Sequence, residues 1–426
     1  MVKFVDLFAG IGGFHLAIKS VYPSAECVMA SEIDSNAASV YRKNFFDGSE
    51  GDRLQGDITE IVPLDGEIAS VLPEKFDVLT GGFPCQPFSK SGAQQGIAEA
   101  RGTLFFHIAK ILEFRKPKVV FLENVRNLVG PKHFESTWLP IISLLRELGY
   151  NVSSSPTILS PHLFRPENGG AAQTRDRVFI FGVYVGRDKA LELGKTNDFK
   201  IPYTFDAGWS GESWDIDSHV RVEPVVPKGG EALSLERAAA VNLWADFFKS
   251  VGNFNHSRVL PGFPIWEPFL RNPEILDAGI PGWKQNFIRK NEIFYLENQE
   301  SIDAWRRRHP GIQDLSMSYR KLEWQAGATK SFDDCVIQFR PSGLRLKKKN
   351  YFPALVAIAQ TPYVPAWGRT LSVKEAAKLQ GFPEDFDFVG QSSRHSFKQL
   401  GNAVNVGLVA SVFRKFCDHY DVSFTE

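Results

Sequence analysis

Cysteine is scarce in this chain, and what there is lies scattered. Cys27, Cys85, Cys335 and Cys417 are the four cysteines among 426 residues. Their spacing fits neither a zinc site nor a disulfide framework, so the expected setting is reducing and intracellular. An excess of either charge is also missing. Forty-nine Lys and Arg balance 49 Asp and Glu, which argues against a chain-wide electrostatic funnel for nucleic acid. Any such surface must come from local clustering. No apolar run approaches the roughly 20 residues of a membrane-spanning helix. The N-terminus opens on a strand pattern rather than a signal peptide. Internal repeats and low-complexity segments are absent too.

What is present begins at once. The apolar strand pattern Lys3-Phe4-Val5-Asp6-Leu7 runs into Phe8-Ala9-Gly10-Ile11-Gly12-Gly13-Phe14, and a helical pattern follows. This is the opening of a nucleotide-binding βαβ unit, in which glycines let a ligand approach the backbone. The spacing is Gly-x-Gly-Gly rather than G-x-G-x-x-G, which favours an adenosyl cofactor over a pyrophosphate one. A second strand, Glu26–Ala30, ends at Ser31-Glu32-Ile33-Asp34. Glu32 stands about twenty residues past the glycine turn, where such folds place a carboxylate on ribose hydroxyls. It could equally be a helix N-terminal acid, a role also open to Asp34 or Ser35. Asp57, after another short strand, either bonds an adenine amino group or caps the next turn.

The stretch Gly81-Gly82-Phe83-Pro84-Cys85-Gln86-Pro87-Phe88-Ser89 follows the strand pattern Phe76–Thr80. Two prolines fix φ and remove donors, so a rigid loop presents Cys85 just beyond a strand end. Ligands of open α/β sheets bind there, and a thiol so placed is a candidate nucleophile rather than a core residue. Residues 90–100 are small and polar and read as a flap closing over substrate. A helix from about Leu104 precedes the strand Lys118–Leu122, which delivers Glu123 to the same edge. An acid there is costly unless paired or used. Arg175 and Arg177 flank Asp176 at the start of the strand Val178–Val183, with both guanidiniums on one face, suited to an anion or a polar base edge or else to a surface salt bridge.

Past Gly186 the βα rhythm stops until about Pro365, and this stretch reads as a second domain. Residues 186–280 carry 10 Lys/Arg against 14 Asp/Glu, whereas 281–350 carry 14 against 8. The basic half contains Trp305-Arg306-Arg307-Arg308 and Arg340–Lys349, runs that suit phosphate contacts or a solvated face. The rhythm returns with a helix after Ser372, carrying a capping-box acid and ending at Gly381. Gln399-Leu400-Gly401-Asn402-Ala403-Val404-Asn405 then opens a last helix, Val406–Phe416.

In this order the segments resemble the DNA (cytosine-5)-methyltransferases of bacterial restriction–modification systems. The resemblance rests on Asp6–Gly13, Gly82–Ser89, Glu123–Val125, Gln173–Arg177 and Gln399–Val404 and covers roughly 3–183 and 366–416. It implies a doubly wound α/β fold of mixed sheet, of the S-adenosylmethionine-dependent methyltransferase type. A discontinuous catalytic domain would span 1–185 and 366–426, with a smaller irregular target-recognition domain at 186–365. It implies S-adenosylmethionine as cofactor and double-stranded DNA as substrate, for a cytoplasmic bacterial monomer acting separately from any cognate endonuclease. Cys85 would add to C6 of a flipped-out cytosine, Glu123 would hold N3, and Arg175 would contact O2 with Arg177 in support. Pro84, Gln86, Ser89 and Ser91 would belong to the substrate loop, Ser91 helping to fill the gap left by the base. For the cofactor, the resemblance points to Phe8, Gly10, Ile11, Gly12 and Gly13, with Glu32 on ribose, Ile33 on the adenine face and Asp57 on its amino group. Leu104, Asn402 and Val404 would complete the pocket. An RNA cytosine methyltransferase, a non-catalytic DNA-binding regulator and a nicotinamide-dependent dehydrogenase are the rival readings. The long middle region, the intact Cys85–Glu123–Arg175 set and the glycine spacing count against them in turn.

Overall fold

The computed structural model describes residues 1–46, 53–84, 104–196, 199–202, 206, 208–225, 233–252, 259–276, 279–357 and 360–424. The chain forms two compact units. Met1–Trp214, Pro353–Ile358 and Ala376–Glu426 make the first; Asp215–Phe352 and Ala359–Glu375 make the second.

The first unit is built on an eight-stranded mixed sheet. Its strands are β1 (Lys3–Leu7), β2 (Glu26–Ser31), β3 (Leu54–Gln55), β4 (Val78–Gly81), β5 (Val119–Val125), β6 (Tyr150–Val152), β7 (Thr157–Leu159) and β8 (Arg177–Tyr184). They run in the order β3-β2-β1-β4-β5-β8-β6, with β7 also on β8. Strands β1 to β5 are mutually parallel, and β8 is antiparallel to β5. Phe4, Val5, Leu7, Val119, Val120 and Phe121 are all sealed from solvent, as expected of parallel strands covered on both faces. Because β1 pairs with β2 on one side and β4 on the other, the strand order reverses there. Crevices at such a reversal, outside the carboxyl ends of the strands, are where these sheets bind ligands.

Three intervening helices are α1 (Gly13–Val21), α2 (Ser35–Phe45) and α3 (Phe105–Arg115). Next come α4 (Leu139–Glu147) and α5 (Arg187–Thr196), so regular structure continues past the expected end of the first domain at 185. From the far end of the chain, α11 (Val406–His419) lays Phe413 against Phe121, ring centroids 5.8 Å apart, and stacks Phe416 on Phe181. Phe413 and Phe416 are fully buried, a contribution of about 1.5–3 kcal/mol each. That burial explains how a distant segment completes this unit.

The second unit is more regular than its sequence pattern suggests. A six-stranded sheet packs with helices α6 (Leu235–Gly252), α7 (Gly282–Glu297) and α8 (Gln299–Arg308). Its core gathers Trp244, Phe247, Trp305 and Trp324. The indole N–H of Trp244 reaches Tyr319 O at 2.7 Å and that of Trp305 reaches Leu243 O at 3.0 Å, the partnering that buried tryptophan needs. The basic runs are partly spent internally. Arg306 and Arg320 pair with buried Glu267, Arg308 with Asp246, and Arg340 and Arg345 share Glu323. Those five guanidiniums serve the fold before they serve any phosphate. The helices of the C-terminal part, α9 (Val373–Leu379) and α10 (Ser393–Asn402), follow. Ser372 and Glu375 form a reciprocal cap at the start of α9, and Gly381 takes φ +78° just past its end, as the sequence pattern requires.

Candidate active site

A cavity of about 500 Å³ opens beyond the carboxyl ends of β1 and β4, within the ~300–1,000 Å³ range of ligand sites. One end is built largely from backbone. Phe8 adopts φ +54° directly after β1, a left-handed conformation that is uncommon for a bulky residue and clusters at functional sites. Gly10 follows at φ +56°, and a Cβ placed on it would meet no atom within 4 Å. Its bare side therefore faces open space. The Gly10 amide donates to Glu32 Oε2 at 2.7 Å, and the Asp34 amide donates to Glu32 Oε1 at 2.8 Å. Burial raises the Glu32 carboxyl above its ordinary range, opposed by those two amides. Asp34 caps α2 and pairs with Lys398 at 2.9 Å.

The other end is built from side chains. Glu123 does not stand past its strand as the sequence pattern suggests; it lies inside β5, paired with Phe179 of β8. Only 7% exposed, it is raised above the usual carboxylate range by burial, with Arg177 and then Arg175 pulling it back. Arg177 Nε sits 2.7 Å from Glu123 Oε1. The contact is off the hydrogen-bond line, which leaves that oxygen buried without an aligned donor. Arg175, the arginine expected at a base edge, lines the cavity with its Nε unpartnered among the described residues. Its guanidinium donates to the carbonyls of Leu355, Gly401 and Ala403. Strand β8 begins only at Arg177, so the two arginines do not share a strand face. Asn124, 2% exposed, donates from Nδ2 to Phe83 O at 2.8 Å and so anchors the segment leading to Pro84.

Phe8, Gly10, Gly13, Glu32, Pro84, Glu123, Arg175, Arg177, Asn402 and Val404 all line the one cavity. Four expected cofactor residues besides Gly12 stand apart from its lining. Ile11 is fully buried and Ile33 is 73% exposed. Asp57 caps a helical turn, its Oδ1 accepting from the Thr59 amide at 2.8 Å. Leu104 caps α3 and packs against the core. Gly12 serves packing: at φ +88°, a Cβ there would lie 2.1 Å from the Phe45 ring. Cys85, Gln86, Ser89, Ser91 and the 90–100 segment lie outside the described residues. The sequence pattern gave no hint of the wall formed by Leu355, Val356 and Ala357. These residues carry no motif and fall within a stretch that reads as the second domain.

A cavity at the strand reversal, with a carboxylate on the glycine turn and a second beside guanidiniums, is the setting in which comparison with known proteins becomes informative. The family model described as C-5 cytosine-specific DNA methylase matches residues 2–417. The chain belongs to that family. Among its relatives, the type II methyltransferase M.AluI of Cellulosimicrobium cellulans is 38% identical, across 97% of this chain and 91% of its own. M.HgiCI of Herpetosiphon aurantiacus is 40% identical across 97% of both chains. M.BanI of Aneurinibacillus aneurinilyticus is 30% identical across 96% and 94%. This C-5 cytosine-specific DNA methylase is therefore an enzyme, and its mixed α/β sheet is the fold of that class. Among the described residues no helix is long and apolar enough to cross a membrane, and no cluster of His, Cys, Asp and Glu is suited to a metal ion.

Proposed function

We propose that this methylase transfers a methyl group from S-adenosylmethionine to C5 of a cytosine flipped out of double-stranded DNA, through a transient bond between the Cys85 sulfur and C6. The observation that carries the reading is Glu123: a buried carboxyl with a raised proton affinity, on the same cavity as Glu32 and as Pro84, the residue before Cys85. The cofactor fits the residues present. Glu32 is already oriented by two backbone amides to accept ribose hydroxyls, and bare Gly10 leaves room for a ligand against the backbone. When bound, S-adenosylmethionine supplies an electrophilic methyl group.

The chain's own residues then divide the work. Cytosine C5 is a weak nucleophile, and addition of the Cys85 thiolate to C6 makes it enamine-like. Burial raises the proton affinity of Glu123, which suits it to pass a proton toward N3 as the C6–S bond forms. Arg177, at 2.7 Å from Glu123, supplies that carboxyl with a neighbouring charge and presents a guanidinium to O2. We thus give Arg177 the role expected of Arg175, whose Nη1 and Nη2 already donate to carbonyls while its Nε has no partner among the described residues. Once C5 is methylated, a base removes the C5 proton and the C6–S electron pair returns to Cys85. C6 is hidden within the duplex stack, so the base must leave it to reach this cavity.

Recognition of the surrounding sequence falls to the second unit. The type II relatives support protection of DNA in a restriction–modification system as the role of this activity; we take the enzyme to be a cytoplasmic monomer. The direct test is a duplex carrying 5-fluorocytosine at the target position. Fluorine does not leave as a proton does, so active enzyme plus cofactor should accumulate a denaturation-resistant protein–DNA adduct, and Cys85→Ser should not. An active enzyme that forms no adduct rules the covalent route out.

A further inference from the structure

Arg175 is 2% exposed, yet its hydrogen bonds go to neutral backbone. Nη1 donates to Leu355 O at 3.2 Å, and Nη2 donates to Gly401 O at 3.1 Å and Ala403 O at 2.5 Å. Its own amide donates to Ser160 Oγ at 2.8 Å. A sealed guanidinium is expensive to maintain unless its donors are well used; here Nη1 and Nη2 join two stretches of chain far apart in sequence, and Nε has no partner among the described residues. One is the short run Pro353–Ile358, the only part of 215–375 assigned to the first unit. The other is the turn that ends α10. The two are already in tight contact, since a Cβ on Gly401 would lie 2.4 Å from the Val356 carbonyl carbon. Gly401 and Ala403 bracket Asn402, and a Cβ on Gly13 would lie 2.7 Å from Val404 Cγ2. Tension on the two Arg175-bound carbonyls is thus one residue from the glycine turn at the cofactor end.

We propose that Arg175 is a positioning residue for the cofactor side of the cavity: it clamps the Leu355–Ala357 wall to the Gly401–Val404 turn, which in turn sets the glycine loop. This rests on the reading that the cavity takes S-adenosylmethionine. A lysine has one point-like donor group and cannot span three carbonyls as a planar fork does, so Arg175→Lys restores part of what Arg175→Gln loses.

The test is binding of S-adenosylhomocysteine to DNA-free protein, followed by calorimetry, together with hydrogen exchange resolved by segment. Arg175→Gln should weaken binding at least tenfold and Arg175→Lys less. Faster exchange should be confined to 353–357 and 401–404. If the variants bind like the parent and lose only the methyl-transfer step at saturating cofactor, Arg175 touches the base and the proposal is wrong. If binding per folded molecule is parental and only the melting temperature falls, the role is merely structural and the proposal is equally wrong. Should neither variant fold, Gly401→Ala pushes the wall from the opposite side without touching Arg175. It should weaken binding similarly, and parental affinity would overturn the clamp. Failure of the parent itself to bind S-adenosylhomocysteine would instead sink the cofactor reading.

Discussion

A half-buried carboxyl and a buried one stand at the two ends of one cavity, and they are held differently. Glu32 has an amide donor on each oxygen, from Gly10 and Asp34. Both amides are rigid backbone, and both favour the charged form. Among the described residues no amide is seen to donate to Glu123; its neighbour is the Arg177 guanidinium, close at 2.7 Å but poorly aligned. Burial raises both groups, yet only one is locked. A carboxylate fixed by two backbone donors suits recognition of a ligand that does not change during reaction. A carboxyl with loose charge support suits a group whose protonation must change as a bond forms.

Glu123→Gln should break that comparison hardest. The amide keeps the shape but cannot cycle a proton, and methyl transfer at saturating DNA and cofactor should fall by about 10²–10⁴-fold. Affinity for S-adenosylhomocysteine should stay within a few-fold of the parent. Single-turnover kinetics beside calorimetry separate the two quantities, and an equal loss in both would mean that Glu123 serves binding rather than chemistry.

Glu32→Gln should give the converse, and a smaller effect. A charge-assisted hydrogen bond contributes about 1.5–3 kcal/mol, so cofactor affinity should weaken roughly 10- to 100-fold. At saturating cofactor the rate should remain near that of the parent. A loss in the rate at saturation, with affinity unchanged, would erase the distinction between the two ends.

How much of this could be read from the sequence differs between the ends for the same physical reason. The glycine turn and Glu32 are local: backbone conformation and one strand–turn–helix passage create them, and the spacing of Gly10, Gly13 and Glu32 records it. The base end depends on pairings across the sheet. Arg177 meets the neighbourhood of Glu123 only because β8 runs antiparallel to β5, with Arg177 opposite Val125. Nothing in Arg-Asp-Arg reveals which arginine turns inward to carbonyls. The Leu355–Ala357 wall is further still from legibility, because an apolar tripeptide has no signature. Asp57 shows how one residue can carry two readings at once: its position on the chain fits a ligand contact, and it also makes a local Asx-type cap. In the second unit, strands as short as Ile265–Trp266 and Tyr363–Val364 carry too few residues for an alternating pattern to stand out.

The smallest expected effect concerns stability, and it tests whether the core beneath the locked end is as dry as its geometry implies. Asp6 is sealed and accepts from Thr80 Oγ1 at 3.0 Å, with the His15 amide and the Tyr41 hydroxyl also close enough to favour its charged form but too poorly placed to partner Oδ2. Burial pushes its carboxyl up to about 8, whereas the neighbouring buried His15, bonded to Tyr41 OH at 2.8 Å, is driven down to about 3. Against ordinary values near 3.9 and 6.5, the two act with opposite sign. Between about 4 and 8 the folded chain holds an Asp6 proton that the unfolded chain has released, so stability falls as pH rises. Between about 3 and 6.5 the unfolded chain binds a His15 proton that the folded one refuses, so stability rises with pH. They oppose below pH 6.5, and the Asp6 contribution persists from 6.5 to 8. One proton corresponds to about 1.4 kcal/mol per pH unit, roughly 2–3 °C in melting temperature for a domain of this size. The melting temperature of ligand-free protein should therefore decline by that amount per unit over this window, and the decline should be shallower in Asp6→Asn. Equal slopes in the two proteins would mean that Asp6 is ionised in the fold, with a counter-charge or water beside it that its present surroundings do not provide.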